Sequence, residues 1–376
     1  MRVDASGPTR STAFLWDERC FWHGGGNYAS VAPVGGLVQP MSGGLPENPE
    51  TKRRLVNLLR VTGLYDTLAT GTAPPVTDED LRRVHPAGYL REFRRLSDGQ
   101  GGELGVRAPF GPGGYEIALQ SAGLVKRALL DVLDGRVANA YALSRPPGHH
   151  CLPDAPMGFC LLANIAIAVE AAIAERRLAK VAVVDWDVHH GNGTETIFID
   201  RADVLTISLH QERCFPWDTG DASVRGTGAG EGCNLNVPLP PGGGHDLYLH
   251  AIDRIVAPAL RRYRPDAIVV ACGFDASGAD VLSRMLARAD TFRQMTRQLK
   301  ALAADLCGGR LVLAHEGGYS ELHVPFCGHA VLAELAGSAI DAGDPLDARF
   351  RANEPNARVR AFHRQLVDEI ARGFDL

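Results

Sequence analysis

Residues 181–192 read VAVVDWDVHHGN. Val181–Val184 is a short, continuous apolar run rich in β-branched residues, the pattern of a strand buried on both faces of a parallel sheet. It stops abruptly at Asp185, Asp187 and His189, three metal-competent side chains spaced two apart. In an extended segment that spacing puts alternate side chains on one face, so Asp187 and His189 can reach one ion. Open parallel sheets bind their ligands outside the carboxyl ends of the strands. The residues that follow each apolar run are therefore the ones to inspect.

Outward from this stretch the pattern repeats. Apolar runs occur at Ala138–Leu143, Val204–Ser208, Ala267–Ala271 and Leu311–Ala314, and helical spacing at Ala163–Arg177, His245–Arg262 and Ala287–Asp305. Strands alternating with helices predict an α/β fold with a parallel sheet covered on both faces. Arg145-Pro-Pro-Gly-His149-His150 follows the first run, Gly273-Phe-Asp275 the third and Glu316-Gly-Gly-Tyr319 the last. Four strand ends thus bring polar groups to one edge. Asp275 is available as a third ligand beside Asp187 and His189. Carboxylates and an imidazole, with positions left open, suit catalytic Zn²⁺, and Fe²⁺ or Mn²⁺ fit the same donors. A bare D-x-H is often a solvated turn; the other strand ends count against that reading here.

The rest of the chain frames this core. Ser11–Trp16 reads as a first strand, and a loop-rich segment spans 17–50, with Trp22–Asn48 irregular and rich in Gly and Pro. So long a loop either rims a site or meets another subunit. Lys52–Thr62 reads as a helix, Asp78–Arg95 as two helical pieces split near His85-Pro86, Gly99–Gly114 as a second Gly-rich loop, and Ile117–Asp134 as an amphipathic helix. Val237–Gly244 reads as a loop, and the tail, about 344–376, as ending in a helix. With no repeat and no linker, residues 1–376 read as one catalytic domain.

The 376 residues carry a formal net charge of -5 with no long basic run, so no nucleic-acid partner is expected. No apolar stretch reaches the roughly 18 residues of a membrane span, and Met1–Arg10 is polar, so a cytoplasmic protein is expected. Eight cysteines form no C-x-x-C pair, which excludes a zinc ribbon and predicts buried, reduced thiols, with Cys151 a neutral wall residue near the His pair.

The segments RPPGHH, MGFC, DWDVHHGNGT, SLHQ, GFDAS and EGGYS resemble the histone deacetylase superfamily. The Asn of HHGNGT and the EGGY ending resemble its class II members. TKRRL near residue 52 and NVPLPPG near 236 are similar to the bacterial histone-deacetylase-like amidohydrolases, relatives of the acetylpolyamine amidohydrolases. The resemblance runs from about residue 11 to 335. It implies the arginase/deacetylase fold, with about eight mostly parallel strands. It implies Asp187, His189 and Asp275 as ligands of one Zn²⁺, His149 and His150 beside the nucleophilic water, and Tyr319 beside the substrate carbonyl. Asp185 would pair with His149 and Asn192 with His150. A structural K⁺ is implied near Asp185, Asp187, His189, Ser208 and Leu209. Gly158, Phe159, Phe215 and Leu282 would line a narrow tunnel.

The implied reaction is removal of an acetyl group from an acetylated amine or acetyl-lysine. Zn²⁺ polarises the carbonyl and acidifies water, but two anionic ligands weaken it, so extra help is expected. Tyr319 would donate to the developing oxyanion and a His would move the proton. A carboxylate partner raises a His pKa more than an amide does, so His149 is expected to be the cation and His150 the neutral base.

Blander readings stand beside these. Phe159 and Phe215 would serve as core aromatics and Ser208 as a strand-end hydroxyl. Arg53 is either a product-exit residue or a solvated helix Arg, and Glu103 is read as a surface Glu rather than a substrate-gripping acid. His210, His315, His323 and His329 are expected not to be ligands. Ala163-Asn164, Asp280-Val281-Leu282 and His315 depart from the family pattern without removing a proposed ligand. A two-metal ureohydrolase would want a carboxylate at position 191, which is Gly. A silent acyl-lysine binder would have lost a ligand or Tyr319. Apolar Leu282 favours acetyl-lysine over acetylpolyamine, and a homo-oligomer is left open.

Overall fold

A computed structural model describes residues 11–39, 41, 43–175 and 177–376, so the polar stretch Met1–Arg10 lies outside the described residues. The strands in chain order are β1 (Thr12–Leu15), β2 (Tyr28–Ala29), β3 (Ala32–Pro33), β4 (Ala69–Gly71), β5 (Gly102–Glu103), β6 (Pro109–Phe110), β7 (Asn139–Ala142), β8 (Val181–Asp185), β9 (Val204–Gln211), β10 (Asn234–Leu239), β11 (Ala267–Cys272) and β12 (Leu311–His315). Eight of them form one sheet in the order β10-β9-β8-β11-β12-β7-β1-β4, and every neighbouring pair is parallel. The others pair as two short antiparallel ribbons, β2–β3 and β5–β6, inside the Gly-rich loops.

All residues of β7, β8, β9, β11 and β12 are buried, which requires cover on both sheet faces. Each fully buried Val of β8 contributes about 1.5–3 kcal/mol relative to exposure. The cover comes from α1 (Glu50–Thr62), α2 (Asp78–Arg82), α3 (Ala87–Ser97), α4 (Gly114–Leu133), α5 (Asn164–Ala174), α6 (Asn192–Phe198), α7 (His245–Ala251), α8 (Ala257–Tyr263), α9 (Ala289–Cys307), α10 (Val324–Ala336), α11 (Asp347–Asn353) and α12 (Ala357–Gly373). In α1 the buried Leu55, Val56 and Leu59 share one face, and the helix stops at Gly63, whose φ of 80° suits a residue without Cβ. The tail ends as expected in a helix, α12, whose first N–H groups are capped by the Asn356 carboxamide oxygen.

Two readings change, and one strand carried no sequence signal. The single helix expected at His245–Arg262 passes through a π turn at Ile252–Val256, immediately before Pro258, a residue with no N–H for the helical ladder. Part of the expected Val237–Gly244 loop is the end of β10. That strand is at the sheet edge, where Pro238 costs no ladder bond on its open side. β4, with the sequence Ala-Thr-Gly, carries no apolar run because it too is an edge strand and only half covered.

Candidate active site and metal centre

The chain reverses direction across the sheet between β8 and β11. β8 leads outward to its neighbour β9, whereas β11 leads the other way to β12. The crevice at such a switch point is where open α/β sheets hold ligands. Asp185–Asn192 leaves β8 at this point and Asp275 leaves β11. Single ligand atoms of Asp187, His189 and Asp275 all lie within 4.8 Å of one another, and all three residues are buried.

The expected extended spacing is not what brings Asp187 and His189 together. Beyond Asp185 the strand ends, and the backbone folds around its own carboxylates. The Asp187 N–H donates to Asp185 Oδ1 at 3.0 Å, and the His189 N–H to Asp187 Oδ1 at 2.9 Å. These are consecutive Asx turns, so the D-x-D-x-H spacing acts through turn chemistry rather than strand alternation. His189 Nδ1 lies 3.1 Å from Asp187 Oδ1 and 3.0 Å from Asp275 Oδ2. Donor atoms about 2.0 Å from a tetrahedral Zn²⁺ are separated by roughly this distance. Repulsion supports the same fit: burial, and then the charge of Asp187, push the Asp275 pKa up to about 6. Two buried carboxylates against one imidazole call for a cation. Gly273 and Gly317 are needed here, since a Cβ on the first would lie 2.2 Å from Asp187 Oδ2 and on the second 2.2 Å from Asp275 Oδ2.

The Arg145–His150 loop leaves β7 and brings two imidazoles beside this centre. His149 Nδ1–H donates to Asp185 Oδ2 at 2.9 Å, and His150 Nδ1–H to Asn192 Oδ1 at 2.7 Å. Each bond fixes a tautomer and leaves Nε2 pointing elsewhere. Burial works against a charge on His149, but the Asp187 and Asp185 carboxylates outweigh it and raise its pKa to about 10. Burial, reinforced by the positive charge of His149, holds His150 well below the usual imidazole range. The ring centroids are only 4.0 Å apart, so one cation excludes the other. Tyr319 is buried and its phenol stays protonated, a donor.

Two supporting acids had no local signature. Glu316 Oε2 accepts the N–H groups of Gly148 and His149 at 2.7 and 3.1 Å, bracing the His loop from β12. Asp280 accepts from Leu282 N–H and Tyr319 N–H, both at 2.8 Å, so one carboxylate ties a tunnel wall to the tyrosine.

A cavity of about 100 Å³ leads to this centre, lined by the four residues expected in the tunnel wall, Gly158, Phe159, Phe215 and Leu282, by His150, His189 and Tyr319, and by Val31, Arg107 and Cys214. Phe159 and Phe215 are therefore wall residues as well as buried ones. Gly158 (φ 53°) leaves no room for a side chain: a Cβ would lie 2.3 Å from His150 Cδ2. Val31 places the 22–48 loop at the rim. Tyr28 and Leu45 of the same loop pack with Phe159 and Tyr319.

The remaining candidates sort plainly. Arg53 is half-exposed and pairs with Glu18 and Glu50, the solvated alternative. Its neighbour Lys52 is instead fully buried and, like the buried Arg145, bonded to Glu47. Glu103 is exposed as expected, yet it receives the Tyr28 hydroxyl at 2.6 Å and the Ala108 N–H at 3.1 Å. His210, His315, His323 and His329 are each hydrogen-bonded within the protein away from the ligand cluster. Cys151 is buried but does not line the cavity; among the described residues Cys214 is the cysteine that does. All eight cysteines are free. Ser208 stands opposite Asp185 in the β8–β9 register with Leu209 next to it, so three of the residues named for K⁺ lie on neighbouring strands.

This sheet, with its buried carboxylate–imidazole cluster at the switch point, is the arginase/deacetylase fold, and the chain belongs to the histone deacetylase domain family, which matches residues 45–335. It is 57% identical over 369 residues to a histone deacetylase-like amidohydrolase of Pseudomonas aeruginosa, covering 98% of this chain and 97% of that one. It is 36% identical to a probable deacetylase of Archaeoglobus fulgidus, over 79% of this chain and 84% of that one. The crystal structure of the HDA15 HD domain superposes with a TM-score of 0.80 at 31% identity, over 97% of this chain and 99% of that one. The chain is thus a hydrolase acting on amides, a deacetylase by family.

Proposed function

We propose that residues 1–376 form one zinc-dependent catalytic domain that hydrolyses N-acetylated amines, with acetyl-lysine side chains as the leading substrates. The observation that carries this is the meeting of Asp187, His189 and Asp275 at the floor of a narrow, largely apolar cavity beside two imidazoles and a phenol. Zn²⁺ held by those three residues would supply Lewis acidity toward the amide carbonyl and toward water.

The protein's own groups do the rest. His150, neutral and with its Nδ1 proton committed to Asn192, takes the water proton at Nε2 and returns it to the leaving amine. His149, cationic against Asp185, stabilises negative charge developing beside it. The Tyr319 hydroxyl donates to the carbonyl oxygen as it becomes an oxyanion, a contribution of about 3–4 kcal/mol in comparable sites. Phe159, Phe215 and Leu282 exclude water and hold an extended aliphatic chain. A K⁺ held by Asp185, Asp187, His189, Ser208 and Leu209, and a cytoplasmic location, belong to the same proposal. Gly191 supports the one-metal reading, because a Cβ there would lie 2.3 Å from Asp185 Oδ2, leaving no room for a further carboxylate ligand.

The test is metal analysis together with turnover of acetyl-lysine peptides, acetylputrescine and longer acyl-lysines, with and without a chelator. One Zn²⁺ per chain and chelator-sensitive release of acetate are expected. Undiminished turnover after complete metal removal refutes the mechanism.

A further inference from the structure

We infer that the tunnel mouth selects acetylated amines whose carrier bears a carboxylate, with Arg107 as the selecting group; this rests on the deacetylase reading above. Among the described residues, Arg107 is the cavity-lining side chain with a permanent charge. Its guanidinium carbon lies 5.4 Å from the ring centroid of Phe215 and 5.2 Å from that of Trp217. Trp217 is 61% exposed, so the stack stands at the outer end of the tunnel. Stacking occupies the face of a guanidinium and leaves its N–H edge free for a planar, two-oxygen partner.

The placement is fixed by the backbone. The Phe159 N–H donates to the Arg107 carbonyl at 2.7 Å and the Gly158 N–H to the Val106 carbonyl at 2.9 Å, joining the arginine's loop to the tunnel wall. Arg107 itself has φ 54°, a left-handed conformation unfavourable for a residue with a Cβ and held only where its surroundings demand it. Glu103, the acid on the same loop, is already engaged by the Tyr28 hydroxyl and the Ala108 N–H. The facing walls, Val31 and Leu282, are apolar. Among the described residues no carboxylate lines the cavity to receive a second ammonium group, so a polyamine carrier meets the Arg107 positive charge instead. A carboxylate a few bonds beyond the tunnel meets the opposite charge and N–H donors able to pair with both of its oxygens. It can be the α-carboxylate of an acetylated amino acid or an acidic side chain next to acetyl-lysine in a peptide.

The experiment uses zinc-loaded enzyme and capped peptides in which Glu, Gln or Lys flanks acetyl-lysine. It adds Nα-capped acetyl-lysine as free acid and as amide, and acetylputrescine. A screened unit charge at this range should separate the Glu from the Lys peptide about tenfold in KM, narrowing at high salt. The capped acid should exceed its amide if the small-molecule carboxylate is read, and acetylputrescine should be the poorest substrate. Arg107→Gln should level the series and Arg107→Glu reverse it. Binding is read independently by Trp217 fluorescence in zinc-loaded Tyr319→Phe protein, with Trp217→Phe added as the blank. Glu and Lys peptides within twofold of each other in the wild type, or a ranking that survives Arg107→Gln, overturns the inference. If the binding ranking holds while no peptide is hydrolysed by the wild type, the deacetylase reading falls and the charge selection stands. If no peptide binds, the inference falls as well.

Discussion

Replacing Glu47 by Gln should destabilise the protein more than any other single change in the loop-rich N-terminal segment. Glu47 is 3% exposed and lies between two buried cations: its Oε1 is 3.1 Å from Lys52 Nζ, and its Oε2 is 3.0 Å from an Arg145 guanidinium nitrogen. Arg145 also donates to the carbonyl oxygens of Cys20 and His23, so this acid joins the tunnel-rim segment to the loop that carries both imidazoles. Glutamine keeps the shape and removes the charge, leaving Lys52 and Arg145 buried without a counterion. Breaking a buried ion pair from one side costs about 3–5 kcal/mol. With an unfolding entropy of about 2.1 cal/mol/K per residue, the 376-residue chain changes by about 0.8 kcal/mol per degree, so Tm should fall by about 4–6 °C. The pH dependence gives a second reading. Burial alone would raise the Glu47 pKa, but Arg145 and Lys52 hold it far below its unfolded value of 4.5. Its contribution is therefore complete above about pH 4.5 and is lost as the pH falls toward the depressed folded value; the variant should lack this acid limb. Burial depresses Lys52 below 10.5, and losing Glu47 removes the group that most opposes that depression. The folded state then binds fewer protons than the unfolded, so the variant's deficit should shrink as pH rises toward 10.5. Unfolding measured from pH 2 to pH 10 covers both limbs, and Glu47→Gln/Lys52→Met should recover part of the loss. A Tm change under one degree at pH 7, or a deficit that grows with pH, refutes the reasoning.

Tyr319→Phe should lower kcat by about 10²–10³ with a small change in KM, since only the transition state gains from its hydroxyl; equal losses in both parameters would point to a binding role. His150→Ala should cost about 10²–10⁴ in kcat and more than His149→Ala, and near-normal turnover in His150→Ala would reverse the assignment of the two imidazoles. Gly158→Ala should abolish activity and lower stability, because its methyl would collide with the His150 ring and its φ of 53° disfavours a Cβ; wild-type kcat would show that the wall yields. Adding Zn²⁺ to chelator-treated protein should raise Tm in a concentration-dependent way, an effect that Asp275→Asn should largely abolish.

The parts of the fold legible in the sequence were those whose physics is local. β8, β11 and β12 are covered on both faces, so their burial is written as unbroken apolar runs, and the polar groups that end them mark the sheet edge. The edge strands β4 and β10 lack this signature, one being too short and half exposed and the other carrying Pro238. The ligand candidates were visible because two of them share one turn, although the turn's own carboxylates, not strand alternation, set their geometry. Glu47, Asp280 and Glu316 were not assigned their roles, because each acts on partners from a distant part of the chain or through backbone N–H groups that no spacing reveals. Arg107 was missed for a related reason: its neighbours Phe215 and Trp217 are more than a hundred residues away.

The reversal of direction between β8 and β11 has an architectural consequence. Four adjacent strands, β8-β11-β12-β7, supply the chemical groups from their ends, and those ends are anchored in hydrogen-bonded backbone that is buried throughout. The doorway instead belongs to excursions near residues 31, 107, 215 and 282, which cross above the sheet without being threaded into it. Such a protein can exchange its threshold piece by piece while its hearth keeps its shape. Descendants with new appetites would then differ from it at the entrance long before they differ at the hearth.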